Sequence, residues 1–119
     1  ATSAAIDFLE GMGLDAFRTR THWLAQYARR QISELTQREP LVPDDPTWYG
    51  SMAHVPLRAT DSQDACAVSN PLQHTIWQGF GIEVPIVNFA GQQHVRVSCH
   101  LYNDTTQIDR LVSALQELI

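Results

Sequence analysis

Apolar residues recur every three or four positions along several stretches of the chain, and this is the spacing of an amphipathic α-helix. The longest stretch follows Gly13 and runs for about six turns, so it predicts one long helix near the N-terminus. A shorter helix precedes that glycine, and Ser3 is its expected cap. The apolar positions of the long helix are Leu14, Phe17, Thr21, Leu24, Ala28, Ile32 and Leu35.

Two further helices are predicted from their capping residues. Asn70 supplies an N-cap and the proline after it suits the first helical position, so a short helix should start here and stop at Gly79 or Gly81. Asp104 with Gln107 three residues later has the spacing of a capping box, which predicts a final helix to the chain end. Its apolar stripe is Ile108, Leu111, Val112, Leu115 and Leu118.

Strand patterns occupy the remaining apolar segments. Residues 48–58 have the aromatic and β-branched character of a strand, and Pro56 favours an edge position because it cannot donate a ladder hydrogen bond. Residues 82–89 and the strand that starts at His94 flank the short loop AGQQ, which predicts an antiparallel hairpin. These elements predict an α+β fold: a small, mainly antiparallel sheet of about three strands, with helices packed on one face.

Length and composition restrict the class of protein. At 119 residues with 44% hydrophobic side chains, the chain suits a single domain over 1–119, with linking helices over 1–38 and an α+β core over 48–119. No apolar run approaches a transmembrane length, and the net charge of -5 opposes attraction to phosphates, so we expect neither a membrane nor a nucleic acid as partner. Cys66 and Cys99 show no disulfide framework spacing, so a reducing cytoplasm is expected.

The basic residues exclude one kind of chemistry. All eight are arginines, and the chain contains no lysine, so it cannot alone perform a reaction that needs a lysine amine. The sequence also begins without methionine and enters a helical pattern almost at once. We therefore expect a piece trimmed from a longer protein.

The stretch HVRVSCHLYND, from His94 to Asp104, contains the candidate site. Its alternation predicts a strand that places Arg96 on the face away from the helices, where solvent, a ligand or another domain could lie. A guanidinium suits a carboxylate because it can donate two parallel hydrogen bonds. The predicted core face holds Val95, Val97, Cys99 and Leu101, and the opposite face holds His94, Arg96, Ser98, His100 and Tyr102.

Other chemistries find less support in this stretch. His94 and His100 would stand roughly 20 Å apart along a strand, so they cannot share a metal ion, and no metal site is predicted. Cys99 falls on the apolar face, where a thiol is usually inert. Ser98 and His100 share a face, but no third group completes a hydrolase triad.

The segment GIEVPIVNFAGQQHVRVSCHLYNDTTQIDRLVSALQEL, residues 81–118, resembles the C-terminal end of the class V aminotransferase family of pyridoxal-phosphate enzymes. The resemblance is strongest to the isopenicillin N epimerase-like and cysteine desulfurase-like branches, with Asp104 in place of the threonine often found as the cap. Upstream residues match more loosely, and the segment SMAHVPL looks like the first strand of the family's small domain. The matching residues are Arg96, Ser98, Tyr102, Asn103, Asp109, Arg110 and Leu111.

The resemblance implies a role for the chain. Enzymes of this family have fold type I, are usually homodimers, and hold pyridoxal phosphate as a Schiff base on a lysine of the large domain. Their small C-terminal domain closes over the cleft and contributes an arginine that binds the substrate's α-carboxylate. The resemblance assigns this role to Arg96 and to no other residue of this sequence. By this resemblance the partners of the chain are a large domain of the same polypeptide and an amino acid.

The same resemblance limits what the chain does by itself. Without lysine it has no catalytic or cofactor-binding residue, and pyridoxal phosphate belongs only to the full-length enzyme. The sequence does not choose among epimerase (isomerase), desulfurase, lyase and transaminase (transferase) activity. Two alternatives stay open: a freestanding, non-catalytic α+β module that binds a small anion or amino acid through Arg96, and a structural domain whose polar sheet face meets a protein partner.

Overall fold

The computed structural model describes residues 1–57 and 70–119. Arg58 and Cys66 lie outside the described residues, and so do all of the positions between the predicted strand and the helix at Asn70. The described part confirms the predicted α+β class, with helices and a three-stranded antiparallel sheet. Its elements are α1 (Thr2–Met12), α2 (Leu14–Thr36), β1 (Met52–Pro56), α3 (Pro71–Phe80), β2 (Ile86–Phe89), β3 (Gln92–Ser98) and α4 (Thr105–Leu118).

The sheet has the order β1-β3-β2, and both pairs are antiparallel. The predicted edge position of β1 is therefore confirmed, and β3 is the central strand. The hairpin between β2 and β3 turns at two residues, Ala90 with φ 50° and Gly91 with φ 75°, because Phe89 already pairs with Gln92. Two consecutive left-handed residues are the geometry that matches the twist of a tight hairpin.

All three strands are shorter than the sequence pattern predicts. β1 begins at Met52 instead of position 48, and β2 begins at Ile86 instead of position 82. Before β2, the carbonyl of Pro85 still accepts a hydrogen bond from the Arg96 amide at 3.0 Å, although proline has no amide hydrogen to extend the ladder.

β3 ends at Ser98, so His100 and Tyr102 are not strand residues. The chain leaves the sheet because the Asn103 side-chain oxygen accepts a hydrogen bond from the His100 amide at 2.7 Å, which closes a turn in front of α4. The alternation of side chains in HVRVSCHLYND therefore stops before its last third.

The helix caps largely follow the prediction. The Asn70 side chain accepts a hydrogen bond from Leu72 N at 2.9 Å, and α3 ends at Gly81 with φ 64°. Asp104 and Gln107 form the predicted capping box in front of α4. Ser3 is not a cap, because α1 starts one residue before it, and its N-cap Ala1 makes no side-chain hydrogen bond.

The core lies between one face of the sheet and the helices. Along α2 the predicted stripe is buried from Thr21 to Ile32, whereas Leu14 is 41% exposed because it precedes the part of the helix that covers the sheet. The other buried apolar side chains of the core include Ala53, Val55 and Leu57 in or beside β1, Ile76, Val84, Ile86, Val95, Val97 and Cys99, and Ile108, Leu111 and Leu115 of α4.

Helix α1 stands outside this core. None of its side chains is buried, and Ile6, Phe8 and Met12 are exposed. Gly13, with φ 85°, ends α1 and also starts α2, so the two helices meet at a single residue in a conformation that favours glycine. Across residues 1–57 and 70–119, no helix has the length and apolar character needed to cross a bilayer.

Candidate functional site

Arg96 occupies the middle of the central strand. Val95 and Val97 on either side are 0% and 8% exposed and face the helices, so Arg96 points to the opposite face of the sheet. We call this the second face, defined by the side chains that alternate away from α2 and α4. The predicted orientation of Arg96 is thus consistent with the alternation that the structure shows.

The second face is more apolar than the sequence pattern predicts. Residues paired directly across an antiparallel sheet lie on the same face, and by this register the two outer strands contribute several apolar side chains to it. His94 pairs with Pro56 and Val87, lies 6.1 Å from the Phe89 ring centroid, and is only 1% exposed. The face comprises Met52, His54 and Pro56 of β1, Val87 and Phe89 of β2, and Gln92, His94, Arg96 and Ser98 of β3.

The guanidinium of Arg96 has no acidic partner within the described part of the chain. Its Nε atom is buried and makes no hydrogen bond there. A cavity of about 180 Å³ lies beside Arg96 and is also lined by Ser98, Asn103 and Glu83. Glu83 forms no ion pair with Arg96 in the described contacts. A buried donor of a charged group without an acceptor is costly, so this arrangement suits an anion supplied from elsewhere.

Two histidines adjoin the guanidinium. His54 is the direct cross-strand partner of Arg96, and its pKa is lowered by partial burial, by the positive charge of Arg96 and by His94. Burial also lowers the pKa of His94, and the backbone of Gln92 opposes this only in part. Neither ring nitrogen of His94 makes a hydrogen bond of good geometry within the described residues. Both imidazoles are therefore mainly neutral at pH 7, and Arg96 carries the positive charge of the second face.

The remaining predicted site residues are distributed differently. Ser98 is exposed on the second face, one pleat from Arg96. His100 stacks on Tyr102 with ring centroids 4.5 Å apart, and it meets the edge of Phe17 at 5.3 Å. The structure therefore brings Arg96 and Ser98 to one surface and places His100 in the turn that follows β3.

Cys99 lies on the core face as predicted. It is 6% exposed, and burial raises the pKa of its thiol, so it is a packing residue and not a ready nucleophile. In the part of the chain that the structure describes, no group of three His, Cys, Asp or Glu side chains could hold a metal ion.

His54 is the neighbour of Arg96 that the sequence did not single out. The two residues are 42 positions apart, and only the register between β1 and β3 makes them partners. No local pattern sets that register, because β1 and β3 are not joined by a hairpin.

A second concave region lies between α2 and the segment that precedes β1. It has a volume of about 720 Å³ and is lined in part by Phe17, Trp23 and Tyr49. Nearby, the Asp44 carboxylate accepts hydrogen bonds from the Tyr49 hydroxyl and from Gln26 Nε2, the latter at 3.0 Å. These polar groups satisfy one another, so they provide no evidence for a ligand.

Comparison with known proteins gives consistent matches over the chain. The family model for class V aminotransferases matches residues 1–111. Isopenicillin N epimerase from Amycolatopsis lactamdurans is 35% identical over 99% of the chain, and the enzyme of that name from Streptomyces clavuligerus is 33% identical over 99%. A probable cysteine desulfurase from Halalkalibacterium halodurans is 30% identical over 96%. The chain spans 28% of the length of each of these relatives.

Proposed function

This chain belongs to the class V aminotransferase family, and we propose that it serves as the C-terminal small domain of a pyridoxal-phosphate enzyme that acts on an amino acid. The family match over residues 1–111 and the 28% of each relative's length that the chain spans support this role. In the proposal the chain supplies substrate binding through Arg96, and the covalent chemistry belongs to the rest of the enzyme.

The observation that carries the proposal is the buried Nε atom of Arg96, which has no hydrogen-bond partner among the described residues. An α-carboxylate would supply the acceptor that the described residues lack, and the guanidinium can hold both carboxylate oxygens at once. Two parallel hydrogen bonds fix the orientation of the substrate as well as its position, and orientation is a large part of what an enzyme contributes to a reaction.

The cofactor that the family implies does not fit the residues of this chain. Pyridoxal phosphate is held as a Schiff base on a lysine amine, and the sequence has no lysine. We therefore assign no step on the cofactor to these residues.

The names of the relatives point to a class of substrate. Isopenicillin N and cysteine both contain an α-amino acid group, and we propose a substrate with that group for the enzyme to which this chain belongs. Epimerase and desulfurase activity are the two reaction types that these names offer.

We further propose a homodimeric enzyme in the cytoplasm, which light scattering and cell fractionation can test.

The test is the substitution Arg96→Lys in the complete gene product. Lysine keeps the positive charge but cannot donate two parallel hydrogen bonds to one carboxylate. We therefore expect the affinity for amino acids to fall by at least tenfold while the cofactor absorbance stays unchanged. Calorimetric titration with a panel of L- and D-amino acids that includes L-cysteine and isopenicillin N gives the affinity. Arg38→Lys, at an exposed position after α2, is the matched control and should leave binding unchanged.

Two results would overturn the proposal. One is that no member of the panel binds the wild-type protein, which would remove the amino acid substrate. The other is that Arg96→Lys binds the panel as tightly as the wild type does, which would remove Arg96 from the site.

A further inference from the structure

His54 offers a second polar side chain beside Arg96. The two residues are directly paired between β1 and β3, so their Cβ atoms are about 4.5 to 5.5 Å apart and their side chains leave the sheet on the same side. The imidazole is exposed, and no hydrogen bond to it is found within residues 1–57 and 70–119. A neutral imidazole always has one N–H group, so His54 presents a free donor next to the guanidinium.

The one carboxylate that lines the cavity beside Arg96, that of Glu83, forms no ion pair with it in the described contacts. On β1 the next side chains of the second face are Met52 and Pro56, neither of which accepts a strong hydrogen bond. On β3 the neighbours are Ser98, whose hydroxyl can donate or accept, and His94, which is buried with neither ring nitrogen in a hydrogen bond of good geometry to a described residue. The guanidinium of Arg96 and an N–H group of His54 thus lie side by side on two adjacent strands, and a carboxylate is a chemical complement of this pair.

We propose that His54 is a substrate-binding residue that donates a hydrogen bond from its imidazole N–H to the carboxylate held by Arg96. This inference rests on the proposed function and extends it from one residue to two on adjacent strands. A carboxylate has about four lone-pair positions, so it can accept two hydrogen bonds from the guanidinium and a third from the imidazole. Side chains from two strands then hold the carboxylate, and the third hydrogen bond limits how far the carboxylate can rotate relative to the Arg96 guanidinium.

The electrostatics agree with a neutral donor. Burial and, to a smaller degree, the charge of Arg96 lower the pKa of His54, so the imidazole of the unliganded chain contributes direction and not a second charge. Hydrogen bonds between a neutral donor and a charged acceptor are among the stronger ones in proteins.

The experiment compares four variants of the complete gene product, titrated calorimetrically with the amino acid from the panel above that binds the wild type most tightly. His54→Leu removes the donor, and we expect affinity to fall roughly ten- to hundredfold. His54→Asn keeps an N–H near the position of Nδ1, and His54→Gln keeps one near Nε2, so one of the two should stay within about threefold of wild type. Met52→Leu, one pleat away on the same face, is the matched control and should bind as wild type does.

A double variant tests whether both residues hold the same carboxylate. If they do, the loss of affinity in Arg96→Lys/His54→Leu should be smaller than the product of the two single losses, because the first substitution already loosens the shared ligand. Strictly multiplicative losses would contradict a shared carboxylate.

The outcomes separate this inference from the proposed function. If Arg96→Lys weakens binding and His54→Leu does not, the inference about His54 is overturned and the proposed function stands. Loss of binding in the leucine, asparagine and glutamine variants alike would also overturn it, since a general disturbance of β1 would then explain the result. If Arg96→Lys has no effect, the proposed function itself fails.

Discussion

At the scale of single residues, the orientation of Arg96 was predictable and its surroundings were not. Alternation along β3 is a property of the local sequence, so it indicated the face on which Arg96 lies. The pairing of His54 with Arg96 and of Pro56 with His94 depends on β1, which is distant in the chain. Such pairs follow from the register of the sheet, and a single sequence contains no local signal for it.

The hydrogen bond between Asp44 and Tyr49 gives a prediction of pH dependence. The Tyr49 hydroxyl and, to a lesser degree, Gln26 hold the pKa of Asp44 below its ordinary value of 3.8. The stabilisation is therefore fully present above that value and is lost as the pH falls through the lower pKa of the folded state. Burial and the same bond raise the pKa of Tyr49, so on the alkaline side the stabilisation is present below pH 10 and is lost above it.

Tyr49→Phe should lower the free energy of unfolding by about 1 kcal/mol at pH 7, which is below the usual value for a bond to a charged group because water screens the exposed carboxylate. The difference from wild type should shrink as the pH is lowered from about 4 toward about 2. Urea unfolding of the 119-residue chain across this range measures it. Tyr102→Phe, which removes a hydroxyl from a side chain 78% exposed, is the control and should change little. A pH-independent difference would contradict the assignment to Asp44.

At the scale of elements, helix ends were predicted well and strand ends poorly. Capping residues lie within a few positions of the helix end that they cap. Asn70, Gly81 and the Asp104–Gln107 pair therefore indicated the helix boundaries directly. Strand ends depend on where a partner strand stops. β3 ends at Ser98 although its pattern continues, because Asn103 closes a turn that the alternation does not reveal.

The capping box of α4 makes a prediction for Asp104. Its side chain accepts a hydrogen bond from Gln107 N at 3.1 Å, and the Gln107 side chain accepts one from Asp104 N at 3.3 Å. Asp104→Ala should destabilise the chain by about 0.5 to 2 kcal/mol, which is the usual cost of losing an N-cap. Thr106→Ala, within the first turn but outside the box, should cost less, and urea unfolding distinguishes the two. Equal effects would mean that the box adds no stability.

At the scale of the whole molecule, the fold class was predictable because hydrophobic periodicity, together with capping residues and loop signals, separates the helices from the strands. The local sequence pattern does not reveal how much of the second face is apolar. Val87 and Phe89 belong to β2, and their place on the same face as Arg96, opposite His94 and Gln92, follows from the sheet order β1-β3-β2.

The core makes a prediction about two leucines. Leu115 of α4 is fully buried, and Leu41 before β1 is 56% exposed. Leu115→Ala should lower the free energy of unfolding by about 2 to 5 kcal/mol, because it removes buried surface and leaves a cavity. Leu41→Ala should cost less than about 0.5 kcal/mol. Thermal or urea unfolding of both variants tests whether α4 belongs to the same cooperative unit as the sheet, and similar small losses would contradict it.

The junction at Gly13 has a mechanical consequence. Helix α1 has 11 residues and is therefore about 16 Å long. None of its side chains is buried, so it projects from α2 as a lever. A hinge rotation of about 10° at this single pivot would swing the far tip by about 3 Å and leave the sheet undisturbed. The angle at which the lever emerges is thus governed by one pair of backbone torsions, and a bulkier residue at this pivot would redirect the lever before it altered the core.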